Sequence, residues 1–385
     1  MVFSALAPAQ PYEVGWRDVP LVNRTSSGTP ILRAHIYYPA SASGQDAPIL
    51  TKAGGWPVVV FLHGAGSAGY FYTDLSTPLA KNGFIAVMTD TALTDWQLLA
   101  QDGIAHFTSL TAENLDPASP FYGALDMSRA GMQCSSMGGL AGWRVMTSNP
   151  GYRCGFFHAP SYNGAPNAAN VTVPIAFVHG LGDTVVNWST SANYFNAAWA
   201  ERSLKFIYLL NQDCDHNNMC ASYLSRPQDL AVIGRIQKVF VGFFRCFLLD
   251  DAGGLESSLG TEGRSEPRLA QISLSVQQPQ LWVEGSGQLG SPCRISTVAT
   301  PGQSALLLAL QRGFTPTPFG TLLLDPSSLT HVVTANVDAS GLRTVDLSVP
   351  TMPSLVGLTC SFQASGLDAA QKPHLTGAGD LRILP

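Results

Sequence analysis

The chain has 385 residues, of which 45% are hydrophobic and only 12% are charged, and its formal net charge is -5. That length suits one large domain plus a smaller one, and the charged fraction is about half the ~25% usual for soluble domains. No basic run is present, which argues against a nucleic-acid partner; the most apolar stretch, Val239 to Leu249, is too short to span a bilayer and contains Arg245.

The seven cysteines include no C-x-x-C pair, so no metal site is expected. Their odd number leaves at least one thiol free if the rest pair within the chain. Cys134, expected at the buried end of a strand, is the choice for it. Cys293 and Cys360, alone in the C-terminal third, are expected to pair with each other if they pair at all. The pairing of Cys154, Cys214, Cys220 and Cys246 stays open. Residues Met1 to Gln10 resemble the tail of a signal peptide, ending in small residues and proline but lacking a basic start. With the weakly charged, Ser/Thr/Asn/Gly-rich composition, this points to a secreted protein.

In chain order, Ile31 to Tyr38 alternates as a strand, and Pro57 to Leu62 is a continuous apolar run of the length of a strand buried on both faces. It stops at His63-Gly64-Ala65-Gly66. A helical segment from Tyr72 to Asn82 leads to a second run, Phe84 to Met88. Further runs are Ala130 to Gln133, Gly155 to Phe157, Pro174 to Val178 and Lys205 to Leu210, with helical segments between most of them. The pattern predicts a doubly wound, mainly parallel sheet, whose chemistry sits at the carboxyl ends of the strands. Val239 to Leu249 reads as a core-facing helix. Asp250-Asp251-Ala252-Gly253-Gly254 and Gly260-Thr261-Glu262-Gly263 read as a linker over 251–268. Beyond it, period-two patterns such as Ile272, Leu274, Val276 and Val345, Leu347, Val349 predict an all-β, sandwich-like module over 269–385. The expected organisation is therefore a catalytic domain over 1–250, the linker, and this accessory domain.

Met132-Gln133-Cys134-Ser135-Ser136-Met137-Gly138-Gly139 ends one of the buried runs and opens a helix. A serine at a sharp strand-to-helix turn has its hydroxyl exposed above the sheet, and the helix N-terminus behind it favours negative charge. Ser136 is placed as the nucleophile by its spacing from Gly138 and Gly139, with Ser135 as its rival. Cys134 stands where the G-x-S-x-G elbow has its first glycine, which implies crowding.

Two more strand ends complete the set. After the run ending at Val178 comes His179-Gly180-Leu181-Gly182-Asp183, which offers Asp183 as the acid; after the run ending at Leu210 comes Asp213-Cys214-Asp215-His216, which offers His216 as the base. The order Ser, Asp, His is that of the α/β-hydrolases. Asp213 and Asp215 lie nearer to His216 in sequence, but a carboxylate from a separate strand end reaches the far ring nitrogen more easily. The oxyanion is expected to bind the backbone N–H groups of Met137 and Ala65, with His63 bracing the loop. Tyr70, Phe71 and Tyr162 are candidate cleft residues, with Ser135 beside them and Trp96 carrying less weight.

Ser119-Pro120-Phe121-Tyr122-Gly123, Asp126-Met127-Ser128-Arg129, Ser136-Met137-Gly138-Gly139, Phe61-Leu62-His63-Gly64, Lys81-Asn82-Gly83-Phe84-Ile85 and Val171-Thr172-Val173-Pro174 followed by Asp183-Thr184 resemble the cutinase-like polyester hydrolases, which include the poly(ethylene terephthalate) hydrolases. The similarity covers roughly residues 28–248. It implies an α/β-hydrolase fold, ester hydrolysis without a cofactor, a shallow open cleft, and the same assignment of Ser136, Asp183, His216, Ala65 and Met137. The chain departs from the family at Cys134, at Ser135 where the family commonly has His or Trp, and at Ala65 where an aromatic is common. Tyr162 is the nearest aromatic to the family's cleft tryptophan.

The expectation is a secreted serine ester hydrolase acting on an ester or polyester. The alternatives are a small-ester or feruloyl-type esterase without polymer activity, or a binding protein with a degenerate elbow. The C-terminal module is weighed equally as a substrate- or surface-binding domain and as a structural cap. The sequence says nothing of oligomeric state.

Overall fold

The computed structural model describes residues 11–25, 28–148, 151–198, 204–220 and 229–385. The expectation of a signal-peptide tail over Met1 to Gln10 lies outside the described residues. The N-terminal part runs β1 (Glu13–Val22), β2 (Ile31–Ala40), β3 (Gly44–Gln45), β4 (Trp56–Leu62), α1 (Thr73–Lys81), β5 (Ile85–Thr89), α2 (Trp96–Leu115), β6 (Leu125–Ser135), α3 (Met137–Ser148), β7 (Cys154–His158), β8 (Ile175–Gly180), α4 (Ser189–Ala197), β9 (Leu204–Leu210), α5 (His216–Cys220), α6 (Leu230–Leu248), α7 (Thr261–Arg264) and β10 (Leu269–Val276).

These strands form a ten-stranded sheet in the order β10-β9-β8-β7-β6-β4-β5-β2-β1-β3. Neighbours from β5 through β4 to β9 are parallel, and β2 and β10 flank them antiparallel. Every residue of β4, β5, β7 and β8 is buried, as expected of strands covered by helices on both faces. Two hydrophobic clusters cover the sheet. One gathers Phe156, Phe206 and Tyr208 with Ile236, Phe240, Phe243 and Phe244 of α6; the other gathers Val58, Val60 and Leu62 with Leu99, Trp143 and Val145 from α2 and α3. Asp95 caps α2, accepting from the N–H groups of Gln97 and Leu98 at 2.9 and 3.1 Å, which fixes where that helix begins.

The segment over 251–268, expected as a linker, is packed. A 3-10 turn (Ala252–Ser257) lies on α6, where a side chain on Gly242 or Gly254 would come within 2.1 Å of the other's carbonyl oxygen. Those glycines serve close approach, and Leu255 and Leu259 are fully buried. Arg235 of α6 also binds Glu266 at 3.0 Å. β10, read as the first strand of the C-terminal module, instead pairs with β9 and extends the large sheet.

The remaining strands are β11 (Gln280–Glu284), β12 (Pro292–Val298), β13 (Gly302–Ala309), β14 (Arg312–Thr317), β15 (Gly320–Leu324), β16 (Thr330–Val337), β17 (Leu342–Ser348), β18 (Thr359–Leu367) and β19 (Pro373–Arg382). They form antiparallel sheets β11-β12-β17 and β16-β13-β18-β19 and the hairpin β14-β15. Leu281, Ile295, Leu306, Phe362 and Leu381 share one small core. Trp282 and Val298 belong instead to the cluster built around α6, so this unit is packed onto the first. All seven cysteines carry free thiols, and the expected pairing of Cys293 with Cys360 is not made.

Candidate active site

Ser136 lies between the last residue of β6 and the first of α3, with φ at 53°. Few non-glycine residues hold this left-handed conformation, and it persists where the surroundings over-determine it. Here they do: Ser136 N donates to the His158 carbonyl at 3.0 Å, and its own carbonyl accepts from Gly139 N at 2.8 Å and Ser161 N at 2.9 Å. A side chain at Gly138 would meet the Leu62 carbonyl oxygen at 2.1 Å, which explains the glycine after the turn. The crowding expected from Cys134 is absorbed one helical turn later. A Cβ on Gly142 would lie 2.0 Å from Cys134 Sγ, so the missing side chain on α3 leaves room for the sulfur. Burial pushes the Cys134 thiol well above its ordinary value.

Asp183 follows β8 and His216 opens α5 after β9. His216 Nδ1 lies 2.6 Å from Asp183 Oδ2. The other carboxylate oxygen accepts from the N–H groups of Val185 and Val186 at 2.9 and 2.8 Å. His179 Nε2 also reaches Asp183 Oδ2, at 3.2 Å, and both side chains are fully buried. Burial pushes the Asp183 carboxyl up, but the hydrogen bonds from His179, His216 and Val186 outweigh it and hold it well below the usual carboxylate range. For His216, burial favours the neutral ring, but the Cys220 sulfur and Asp183 outweigh it and raise it to about 10. The rival Asp215 accepts from Asn218 N at 3.0 Å at the start of α5, and Asp213 is exposed.

Among the described residues no hydrogen bond joins Ser136 to His216. The ring nitrogen turned away from Asp183, Nε2, contacts Cys220 Sγ at 3.6 Å. The two segments are nevertheless tied together, because His158, whose carbonyl holds Ser136 N, meets the Met219 carbonyl of α5 through its Nδ1 at 2.9 Å. Burial pushes His158 down to about 3, so it is neutral at ordinary pH.

The loop after β4 closes the other side. A Cβ on Gly64 would lie 3.3 Å from Ser136 Cβ, which sets this loop against the elbow. Gly64 N donates to the Tyr72 hydroxyl at 3.1 Å. The buried His63 ring lies between the carbonyls of Gly64 at 2.9 Å and Thr91 at 2.7 Å, bracing the loop as expected. Ala65 is exposed beside them, and the N–H of Met137, at the start of α3, has no acceptor within its helix.

Tyr70 is 46% exposed and Tyr162 is 36% exposed. Tyr70 and Phe71 are in ring contact with centroids 4.0 Å apart, and Tyr162 stands edge-on to Tyr194 at 4.8 Å. Ser135 does not fit the cleft role expected of it. Its side chain is fully buried because the residue is the last of β6 and still points into the sheet's cover. Trp96 opens α2 and packs partly buried against the core. Sequence reasoning missed His179, Tyr72 and Cys220. His179 stands four residues before Asp183, and Cys220 four after His216; the second spacing is one helical turn and was the available signal.

A strand-to-helix serine above a mainly parallel sheet, with a histidine-bound carboxylate beyond later strands, defines the α/β-hydrolase class. The model of the PET hydrolase-like family matches residues 5–253. The chain belongs to that family, whose members act on esters. No curated protein matches the chain. Among the described residues no group of three or more His, Cys, Asp or Glu is placed to hold a metal ion, and no helix is long and apolar enough to cross a membrane.

Proposed function

We propose that this protein is a secreted, serine-dependent carboxylic ester hydrolase of polyesters, with Ser136 as nucleophile, His216 as base and Asp183 as its orienting acid. The observation that carries the reading is the strained Ser136 elbow, tied through His158 to the helix whose histidine is held at 2.6 Å by a buried carboxylate. His216 Nε2 takes the Ser136 proton as Oγ bonds to the ester carbonyl carbon. The resulting oxyanion accepts from the N–H groups of Ala65 and Met137. The imidazolium returns the proton to the departing alcohol oxygen as the ester C–O bond breaks, leaving an acyl-enzyme. Water, deprotonated by His216, then attacks the acyl carbon, and Ser136 Oγ leaves with the proton as the carboxylic acid is released. Asp183 stays ionised throughout, keeping Nδ1 protonated and Nε2 free to accept. Hydrogen bonds to the nucleophile are often loose in a substrate-free site and tighten on binding.

The polyester part rests on the family and on the exposed rings of Tyr70 and Tyr162, which suit a flat aromatic chain. Secretion rests on the family and the sparse surface charge. Ser136→Ala is expected to lose at least ~10⁴-fold in turnover of p-nitrophenyl butyrate; wild-type turnover in that variant overturns the assignment. Release of soluble aromatic acids from polyester film, absent in Ser136→Ala, tests the substrate, and hydrolysis of soluble esters alone makes the protein a small-ester esterase.

A further inference from the structure

Helix α5 spans one turn, His216–Cys220, so its first and last side chains lie on the same face. That spacing sets Cys220 Sγ 3.6 Å from His216 Nε2, the nitrogen a serine nucleophile must use, because Nδ1 is taken by Asp183 at 2.6 Å. Cys220 is 3% exposed, so its sulfur is fixed against the ring and not a solvent-facing group passing by. Among the described residues, the Tyr72 hydroxyl near Cys220 already accepts from Gly64 N. While the sulfur holds Nε2, that nitrogen is not open to a proton from Ser136.

We infer that Cys220 is a positioning residue that competes with Ser136 for His216 Nε2 and so sets the pH at which the catalytic base becomes available. This rests on the proposed serine mechanism and adds to it a control absent from the Ser-His-Asp set itself. Among the described residues the groups facing His216 are Asp183 from the β8 loop, backed by His179, and Cys220 on its own helix. Asp213 and Asp215 precede it in its own loop. Tyr72 faces Cys220 from the segment before α1, and burial raises its hydroxyl first, with Cys220 adding to that. His158 of β7, neutral at ordinary pH, braces α5 from below. Of these, Asp183 and Cys220 outweigh burial and favour the charged ring, and only Cys220 does so at the catalytic nitrogen. Removing the sulfur therefore lowers the pH at which His216 gives up its proton, while the Asp183 bond keeps the ring in place.

The test is the pH profile of kcat for p-nitrophenyl butyrate in the full-length wild type, Cys220→Ala and Cys220→Ser, with the rate of organophosphate labelling of Ser136 followed alongside. Neither variant keeps the sulfur that favours the charged ring, so both are expected to move the acidic limb downward by about one pH unit. Below both limbs they then turn over about tenfold faster than the wild type. An unmoved limb, with activity equal or uniformly lower, means that Cys220 only fills space and overturns the inference. If Cys220→Ala does not fold, Cys220→Ser carries the comparison. If neither folds, NMR titration of His216 in Cys220→Val against the wild type decides: a lower midpoint in the variant upholds the inference, and an equal or higher one overturns it. Failure of the serine mechanism is distinguishable, because Ser136 would then not be labelled at any pH.

Discussion

The hydrolase sheet and the C-terminal β unit both bury polar side chains, but they deploy them differently. In the sheet, His63, Ser135, His158, His179 and Asp183 gather at or just past the carboxyl ends of β4, β6, β7 and β8. In the β unit they lie along the strands and stitch neighbours together. Arg343 donates to the Ser304 carbonyl at 2.6 Å and to its hydroxyl at 3.0 Å, and Gln363 donates to the carbonyls of Thr321 and Thr376 at 2.9 and 2.8 Å while accepting from Leu323 N at 2.9 Å. These bonds are spent on the fold, although Arg343 Nε and Ser296 Oγ are left buried without a partner among the described residues. At the sheet's end, His216 Nε2 meets a sulfur, a weak partner. What distinguishes the two regions is where the buried polar groups stand, gathered at strand ends in one and spread along strands in the other.

A pair of substitutions should separate the two regions most sharply. Ser136→Ala is expected to abolish ester turnover by ~10⁴-fold or more with little change in melting temperature. Arg343→Met should do the reverse, lowering stability measurably and leaving kcat alone. Similar kinetic losses from both would erase the distinction.

Next in size is the join between the two regions. Trp282 is 2% exposed, packs into the cluster around α6, and donates from Nε1 to Glu256 Oε2 at 3.0 Å. Trp282→Ala should cost about 3 kcal/mol in chemical denaturation, and the unfolding should change from one transition to two if this contact couples the halves. Truncation is informative in the same way. Removing residues 265–385 strips β10 from β9 and frees Arg235 from Glu266, so it should destabilise the sheet more than a cut just after β10.

A smaller effect is expected at the elbow. Gly142→Ala forces a methyl against Cys134 Sγ and should cost about 1–3 kcal/mol. Cys134→Gly, the family's residue at this position, should recover most of that in the double variant. Simple additivity of the two changes would mean that the sulfur and the glycine do not share the space.

The smallest is a pH effect at the same join. Burial first, and then the neighbouring Glu256, raise Glu284 to about 7. A carboxyl whose folded value is raised binds its proton more tightly in the folded state, so its contribution to stability is present at low pH and declines as pH rises from ordinary carboxylate values through 7. Glu284→Gln should flatten that decline, with a higher melting temperature than wild type at pH 8 and little difference at pH 4.5. An unchanged slope would show that the pair is solvated and uncoupled.

Much of this was legible in the amino-acid order. The runs that became β4, β5, β8 and β9 are continuous because both faces are covered, and the ends of β8 and β9 pointed to Asp183 and His216. The sequence pattern did not carry β1, where Arg17 and Asp18 stand side by side and Pro20 interrupts the run, so no clean period of two shows. Nor did it reveal that Gly242 and Gly254 face each other; in sequence a glycine that packs looks the same as one that bends. The period-two pattern of β10 announced a strand correctly, but periodicity does not say which sheet a strand joins. Cys134 looked like a defect in the elbow because its compensation, Gly142, lies eight residues on across a helix. Cys220 was weighed only as a bridge-forming cysteine, since its relation to His216 depends on α5 being helical.

The most direct measurement is the site of covalent capture. The protein is incubated with a fluorophosphonate, digested, and the modified peptide sequenced by mass spectrometry, with and without prior blocking by a slowly hydrolysed ester. A single adduct on Ser136 is expected, formed faster as pH rises through the ionisation of His216 and suppressed by Asp183→Asn. An adduct on any other residue, or none while ester turnover continues, would contradict the serine mechanism.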